Sequence, residues 1–106
     1  MDANLDDVTV RDNAAAERYE ARVNGLLAVL TYQRGDGRIV FNHAGVPEAL
    51  EGHGVAGKMA HVALEDARAA GLAVIPRCPF VAAYIRRHRA YVGLVPPEAR
   101  GRYLGL

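Results

Sequence analysis

Serine is absent from this chain of 106 residues, and cysteine occurs once, as Cys78. Without serine, the chain cannot hold a Ser–His–Asp catalytic triad. A lone cysteine cannot form an internal disulfide, which favours a reducing compartment, because secreted domains more often carry an even number of cysteines. The four histidines are not clustered with Cys78 at the spacing of metal ligands, so the sequence predicts no metal site.

The chain also lacks a strong charge imbalance and a long apolar run. Its formal net charge is +1, which argues against a broad nucleic-acid-binding surface. No stretch resembles a membrane helix, and the acidic N-terminus does not resemble a secretory signal. We therefore expect a cytoplasmic protein with neither a membrane nor a nucleic-acid partner. The basic patch Arg86–Arg89, which reads Arg-Arg-His-Arg, suits a small anionic ligand better than a duplex.

Hydrophobic residues make up 51% of the chain and charged residues 24%, a composition typical of one globular domain spanning residues 1–106. Alternating apolar positions and tight turns such as Asn24-Gly25 predict that the first half is an antiparallel meander. Its four strands are expected at Val8–Arg11, Arg18–Val23, Leu26–Gln33 and Arg38–Ala44.

Helical periodicity replaces this pattern in the second half. It predicts a helix over Lys58–Ala70, a fifth strand at Leu72–Ile75 and a second helix at Phe80–Arg87 that Pro79 begins. This order predicts an α+β fold whose mostly antiparallel sheet has one parallel crossover.

Proline also predicts where regular structure ends. Pro96-Pro97 is expected to close a regular core of about residues 7–95 and to leave the tail Glu98–Leu106 loosely held.

A glycine-rich segment, Gly52–Lys58, joins the meander to the first predicted helix. The first amides of a helix lack intrahelical partners and carry the positive end of the helix dipole, so they can hold a pyrophosphate where glycine allows close approach. A bulky residue at Gly54 should therefore block a phosphate ligand and leave the fold intact. The alternative is a flexible strand–helix turn. The P-loop pattern does not fit, because Met59 follows Lys58 where serine or threonine is required, and the dinucleotide fingerprint has a different glycine spacing.

The segment resembles the pyrophosphate loop of the GNAT N-acetyltransferase superfamily, whose pattern is Gln/Arg-x-x-Gly-x-Gly/Ala. Glu51, Gly54 and Ala56 stand at the three defined positions, so the first departs from the consensus.

Two further segments resemble the short, stand-alone YjdJ-type acetyltransferases of this superfamily. One is Val74–Val81, which reads Val-Ile-Pro-Arg-Cys-Pro-Phe-Val, and the other is Ile39–His43 with Val46-Pro47. The resemblance runs from about Tyr19 to Leu94. It implies a three-layer α/β domain whose sheet is splayed between its fourth and fifth strands, with acetyl-CoA in the cleft and a primary amine as acetyl acceptor. We expect a monomer or a weak homodimer.

The cofactor contacts that the resemblance implies come from the loop, the residue after the fourth strand and the start of the second helix. They are Val46, Gly52, His53, Gly54, Val55, Ala56, Gly57, Lys58, Pro79 and Phe80.

Three side chains are candidates for catalysis, each with a structural alternative. Cys78 is an acyl-accepting nucleophile, a lining of the acetyl pocket or a buried structural thiol. His43 is a general base or a strand-end residue. Tyr84 is the acid that protonates the leaving thiolate or a core aromatic. The alternative for the whole chain is an acyl-CoA-binding or protein-interaction module without turnover.

Overall fold

Five strands follow one another in both sequence and space in the computed structural model, which describes residues 8–106. The first four pair antiparallel, and the last pairs parallel with its neighbour. The predicted α+β class, a meander followed by a parallel crossover, is therefore confirmed. The strands are β1 (Val10–Asn13), β2 (Arg18–Val23), β3 (Leu26–Gly35), β4 (Arg38–Gly45) and β5 (Ala73–Pro76).

Three α-helices are described: α1 (Val55–Ala70), α2 (Pro79–Arg87) and α3 (Pro97–Leu104). None of the helices in residues 8–106 combines the length and the apolar character needed to cross a membrane. α1 begins three residues before its predicted start, so Gly57 lies inside the helix rather than in the loop. Gly71 ends it in a left-handed conformation, with φ of 69°.

The first strand is displaced from its prediction. β1 begins at Val10 and extends past the predicted end at Arg11, so that Asp12 and Asn13 pair with β2. Long-range hydrogen bonds outweigh the turn preference of these residues: Tyr32 Oη donates to the Asp12 carboxylate at 2.6 Å, and Asn13 Nδ2 donates to Glu20 at 3.0 Å.

One face of the sheet packs against α1 and is called the α1 face. Ala21, Leu30, Phe41 and Val74 lie on it, each at most 1% exposed. The buried residues of α1 are small or apolar and recur at helical spacing. They include Met59, Ala60, Ala63, Leu64 and Ala67. The other side of the sheet is called the opposite face, and Val40 and Ile75 lie on it because side chains alternate along a strand.

The prediction that regular structure ends at Pro96-Pro97 is wrong. Pro97 instead occupies the first turn of α3, where a missing N–H costs nothing. The helix ends at Gly105 with φ of 70°, and Leu104 and Val95 are almost fully buried. α3 packs against α2 and β5. The tail Glu98–Leu106 is thus anchored by burial that local proline signals do not reveal.

An extra residue interrupts the pairing of β3 with β4. Thr31 pairs with His43, but the next pair is Tyr32 with Phe41, so Asn42 is a bulge. Simple alternation from Phe41 would place His43 on the α1 face. The bulge reverses this, and a Cβ added to Gly45 would lie 3.4 Å from His43 Nε2 and 3.2 Å from Val29 Cγ2. His43 therefore lies on the opposite face.

Glu20 is a buried carboxylate on the opposite face, 5% exposed. It accepts hydrogen bonds from Asn13, from Arg18 Nε at 2.7 Å and from Arg11 at 3.2 Å. The Asn13 bond, followed by those from the two arginines, lowers the pKa of Glu20 to about 2.

This pKa predicts a loss of stability in acid. Because the folded-state pKa lies below its ordinary value of 4.5, Glu20 contributes stability above about pH 4.5, and this contribution is lost as pH falls toward about 2. We expect Glu20→Gln to flatten the fall in thermal midpoint over this range, measured by circular dichroism. An identical acid profile in the variant and the parent would contradict the assignment.

Candidate functional site

The parallel pairing of β4 with β5 ends before β4 does. Its last register pair is Phe41 with Pro76, and the Cys78 amide then donates to the Phe41 carbonyl at 2.8 Å. Beyond this point β4 continues to Gly45 and pairs with β3 alone. β5 therefore ends while β4 continues. The edge of β4 that has no parallel partner beyond Phe41, at the end of the sheet that carries the glycine-rich loop, is called the gap.

The loop presents unpaired backbone donors beside this gap. Gly54 caps α1 with φ of 78°, a conformation in the left-handed region that favours glycine. The Lys58 amide makes the first helical bond, to the Gly54 carbonyl at 3.0 Å. Within residues 8–106, the amides of Val55, Ala56 and Gly57 have no hydrogen-bond acceptor. Three N–H groups at the positive end of the helix dipole thus face outward together.

A cavity of about 440 Å³ lies between the N-terminus of α1 and α2. Residues of the loop and of the segment before it form one wall, and three residues of α2 form the other. Its lining residues are Val46, Leu50, Glu51, Gly52, Gly54, Val55, Ala56, Gly57, Phe80, Tyr84 and Arg87.

Most of the predicted cofactor contacts lie around this cavity, and three do not. His53 is exposed, Pro79 is exposed in the first turn of α2, and Lys58 is half-buried, and none of them lines the cavity. The others come together there: Val46, Gly52, Gly54, Val55, Ala56, Gly57 and Phe80. The bulge at Asn42 contributes to this set, because it returns Val46 to the α1 face.

Tyr84 is the predicted catalytic residue that lines the cavity. A Cβ added to Gly57 would lie 3.8 Å from Tyr84 Cε2, so the ring borders the loop directly. The imidazole of His88 stacks on this ring, with centroids 4.0 Å apart, while His88 Nδ1 hydrogen-bonds the Tyr84 carbonyl at 2.9 Å. Burial raises the pKa of Tyr84. The phenol is therefore neutral at physiological pH and is available as a hydrogen-bond donor.

Cys78 and His43 are placed differently from Tyr84. Cys78 is 2% exposed within the hydrophobic core, at the N-cap of α2. His43 is exposed on the opposite face of the sheet. Neither lines the cavity, so the structure does not bring the three predicted catalytic side chains into one pocket.

Leu50, Glu51 and Arg87 line the cavity but are not among the predicted cofactor contacts. Leu50 ends a 3-10 turn, Glu48–Leu50, and is 1% exposed. Arg87 lies three residues after Tyr84, so the two share a helix face. The basic patch Arg86–Arg89 indicated an anionic ligand here. Only the helical phase of α2 determines that Arg87 lines the cavity while its neighbour Arg86 does not. No group of three His, Cys, Asp or Glu side chains suited to a metal ion occurs in the described residues.

Comparison with known families gives one match. A family model described as GCN5-related N-acetyl-transferase matches residues 18–94, well over half of the chain. The match begins with β2 and ends with the 3-10 helix Arg89–Leu94, so it includes the strand gap, the glycine-rich loop and α2. No curated protein matches the chain.

Proposed function

The chain belongs to the GCN5-related N-acetyltransferase family, and on that basis we propose that it transfers an acetyl group from acetyl-CoA to a primary amine. The observation that carries this proposal is the cavity between the N-terminus of α1 and α2, where Tyr84 lies close to the unpaired amides of α1. The Val74–Val81 segment further supports membership of the YjdJ-type subgroup.

The anionic end of the cofactor fits the loop. The amides of Val55, Ala56 and Gly57 would donate to the pyrophosphate, since helix N-termini without side-chain caps bind such groups. Arg87 adds a positive charge on the facing wall. The apolar lining from Val46, Leu50 and Phe80 would then contact the pantetheine arm.

The chemistry we propose is direct transfer. The amine nitrogen, after losing a proton, attacks the thioester carbonyl, so that an N–C bond forms and the C–S bond breaks. The departing thiolate takes a proton from Tyr84, which is protonated at neutral pH, and the proton that the nitrogen gives up as the amide forms returns to Tyr84 through solvent. His43 is the candidate base, because it lies on β4 beyond the last β4–β5 register pair and is exposed on the opposite face.

One observation favours the alternative, an acyl-CoA-binding module without turnover. Neither Cys78 nor His43 lines the cavity, so a bound thioester would have Tyr84 as its only catalytic candidate there. The experiment that separates the two functions is a free-thiol release assay with acetyl-CoA and a panel of primary amines. Amine-dependent release supports the transferase, whereas binding of acetyl-CoA with no release above the buffer rate supports the module.

Replacing Arg87 by glutamine should weaken acetyl-CoA binding about tenfold, the effect of losing one charge-assisted hydrogen bond to a phosphate. Arg86→Gln is the matched control, because Arg86 is exposed on the same helix but does not line the cavity. Isothermal titration calorimetry measures both. Equal losses in the two variants would mean that only the general charge of α2 matters.

Direct transfer also predicts the fate of Cys78. Because its side chain is 2% exposed and buried in the core, we expect no acetyl group on it. Intact-protein and peptide mass spectrometry after incubation with acetyl-CoA provides the measurement. An acetylated Cys78 that disappears on addition of amine would overturn direct transfer in favour of a covalent intermediate.

A further inference from the structure

A second cavity lies on the opposite face of the sheet, outside the proposed cofactor site. Its volume is about 300 Å³. α3 forms one wall, and Gln33 of β3, the first half of β4 and the end of β5 form the other. Val40 and Ile75, the last register pair but one of β4 with β5, form part of its floor.

Three arginines from different elements converge on this cavity: Arg38 begins β4, Arg77 follows β5 and Arg102 lies in the last turn of α3. None of them is in an ion pair with a carboxylate among residues 8–106. Glu98, also in the lining, is the one acidic side chain there. The lining therefore carries a formal excess of two positive charges that the described residues do not neutralise.

The position of this cavity relates it to the proposed reaction. Arg77 is adjacent in sequence to Cys78, whose amide lies where the gap begins. His43 lies on the same face. Because Asn42 is a bulge, His43 is two register positions beyond Val40, which corresponds to about 7 Å along the strand. A ligand held by the arginines could thus extend along this face to the gap.

We propose that this cavity, called here the arginine pocket, binds an anionic group of the acetyl acceptor. The acceptor would be a primary amine whose carboxylate or phosphate is separated from the nitrogen by a spacer of several carbons. An α-amino acid, whose two charged groups flank one carbon, is too short to bridge the distance. The inference rests on the proposed function for the identity of the amine as acceptor, but anion binding in the pocket can be measured without turnover.

Equilibrium binding tests the arginine pocket directly. The probes are ω-amino carboxylates of increasing length, ω-aminoalkyl phosphates and the uncharged alkylamine of matched length. They are titrated into the full chain saturated with CoA and followed by NMR chemical shifts. We expect the long anionic amines to bind about tenfold tighter than the matched alkylamine, since guanidinium–carboxylate and guanidinium–phosphate bonds are charge-assisted. The series that binds more tightly, carboxylates or phosphates, identifies the anionic group of the acceptor.

Arginine variants test whether tighter binding of the anionic amines arises at the arginine pocket. Arg102→Gln and Arg38→Gln should each lower the affinity for the anionic amine about tenfold. The affinity for the alkylamine should stay unchanged. Arg86→Gln, which lines neither cavity, should change nothing. Because the three arginines are exposed, we expect the variants to keep the parent's circular dichroism and thermal midpoint.

The outcomes separate this inference from the proposed function. Equal binding of charged and uncharged amines, no binding of either, or a preference that survives both arginine variants would overturn the arginine pocket, whatever the turnover. A preference lost in both variants supports it even if no thiol is released. In that case the transferase proposal alone fails.

Discussion

Leucine in place of Gly57 should lower the affinity of the chain for acetyl-CoA about a hundredfold. A Cβ at this position lies 3.8 Å from Tyr84 Cε2, so the remaining atoms of leucine must enter the cavity between α1 and α2. They would keep the pyrophosphate from the first amides of α1. Loss of two charge-assisted hydrogen bonds at about 1.5 kcal/mol each corresponds to roughly this factor.

The sequence alone suggests Gly54 as the position at which to block the cofactor, but Gly57 is the better position. Gly54 has φ of 78°, so a bulky residue there would strain the backbone as well as block the ligand, and the expectation of an intact fold does not hold. Gly57 lies inside α1, where leucine is favoured over glycine by up to about 1 kcal/mol. The variant should therefore be at least as stable as the parent while it loses affinity.

Gly101→Leu is the matched control. Gly101 lies inside α3 and does not line the cofactor cavity, so the same exchange there should leave acetyl-CoA affinity unchanged. Calorimetric titration of both variants decides the result. Full affinity in Gly57→Leu would mean that the cofactor does not approach the N-terminus of α1.

Leu104→Ala should lower the free energy of unfolding by about 3 kcal/mol, because it removes most of a buried side chain and leaves a cavity. Leu104 is 2% exposed in the last turn of α3. Leu106, two residues later, is 49% exposed, and its replacement by alanine should change stability by less than about 0.5 kcal/mol. Urea denaturation followed by circular dichroism measures both variants.

This pair of variants tests whether α3 is part of the folded core. If the tail were loosely held, as its prolines suggest, Leu104→Ala and Leu106→Ala would have equally small effects. The answer also bears on the arginine pocket, since α3 supplies Arg102 to its wall. Loss of stability in Leu104→Ala alone supports a docked helix.

Local signals in the sequence predicted most of the sheet. The strand Arg18–Val23 has the predicted bounds, because its apolar residues alternate and the following Asn24-Gly25 turn has a distinctive composition. Both turn residues have positive φ, 51° and 80°, which asparagine and glycine tolerate and which suits a tight hairpin. The loop before α1 was likewise predictable, since glycine and a change of period mark it.

Features that depend on long-range contacts could not be predicted from the sequence. The bulge at Asn42 decides that His43 faces away from the cofactor cavity, yet an extra residue in a strand has no local mark of its own. The burial of Leu104 depends on contact of α3 with α2 and β5, which the prolines do not encode. Arg38, Arg77 and Arg102 meet only through the tertiary fold, so no motif connects them.

A crystal structure of the chain with acetyl-CoA is the most direct test of the proposed site. We expect the pyrophosphate against the amides of Val55, Ala56 and Gly57 and the thioester at the gap beyond Phe41 and Pro76. Tyr84 should then lie within hydrogen-bonding reach of the sulfur. Cofactor bound elsewhere on the chain, or an empty cavity in crystals grown with millimolar acetyl-CoA, would contradict this placement.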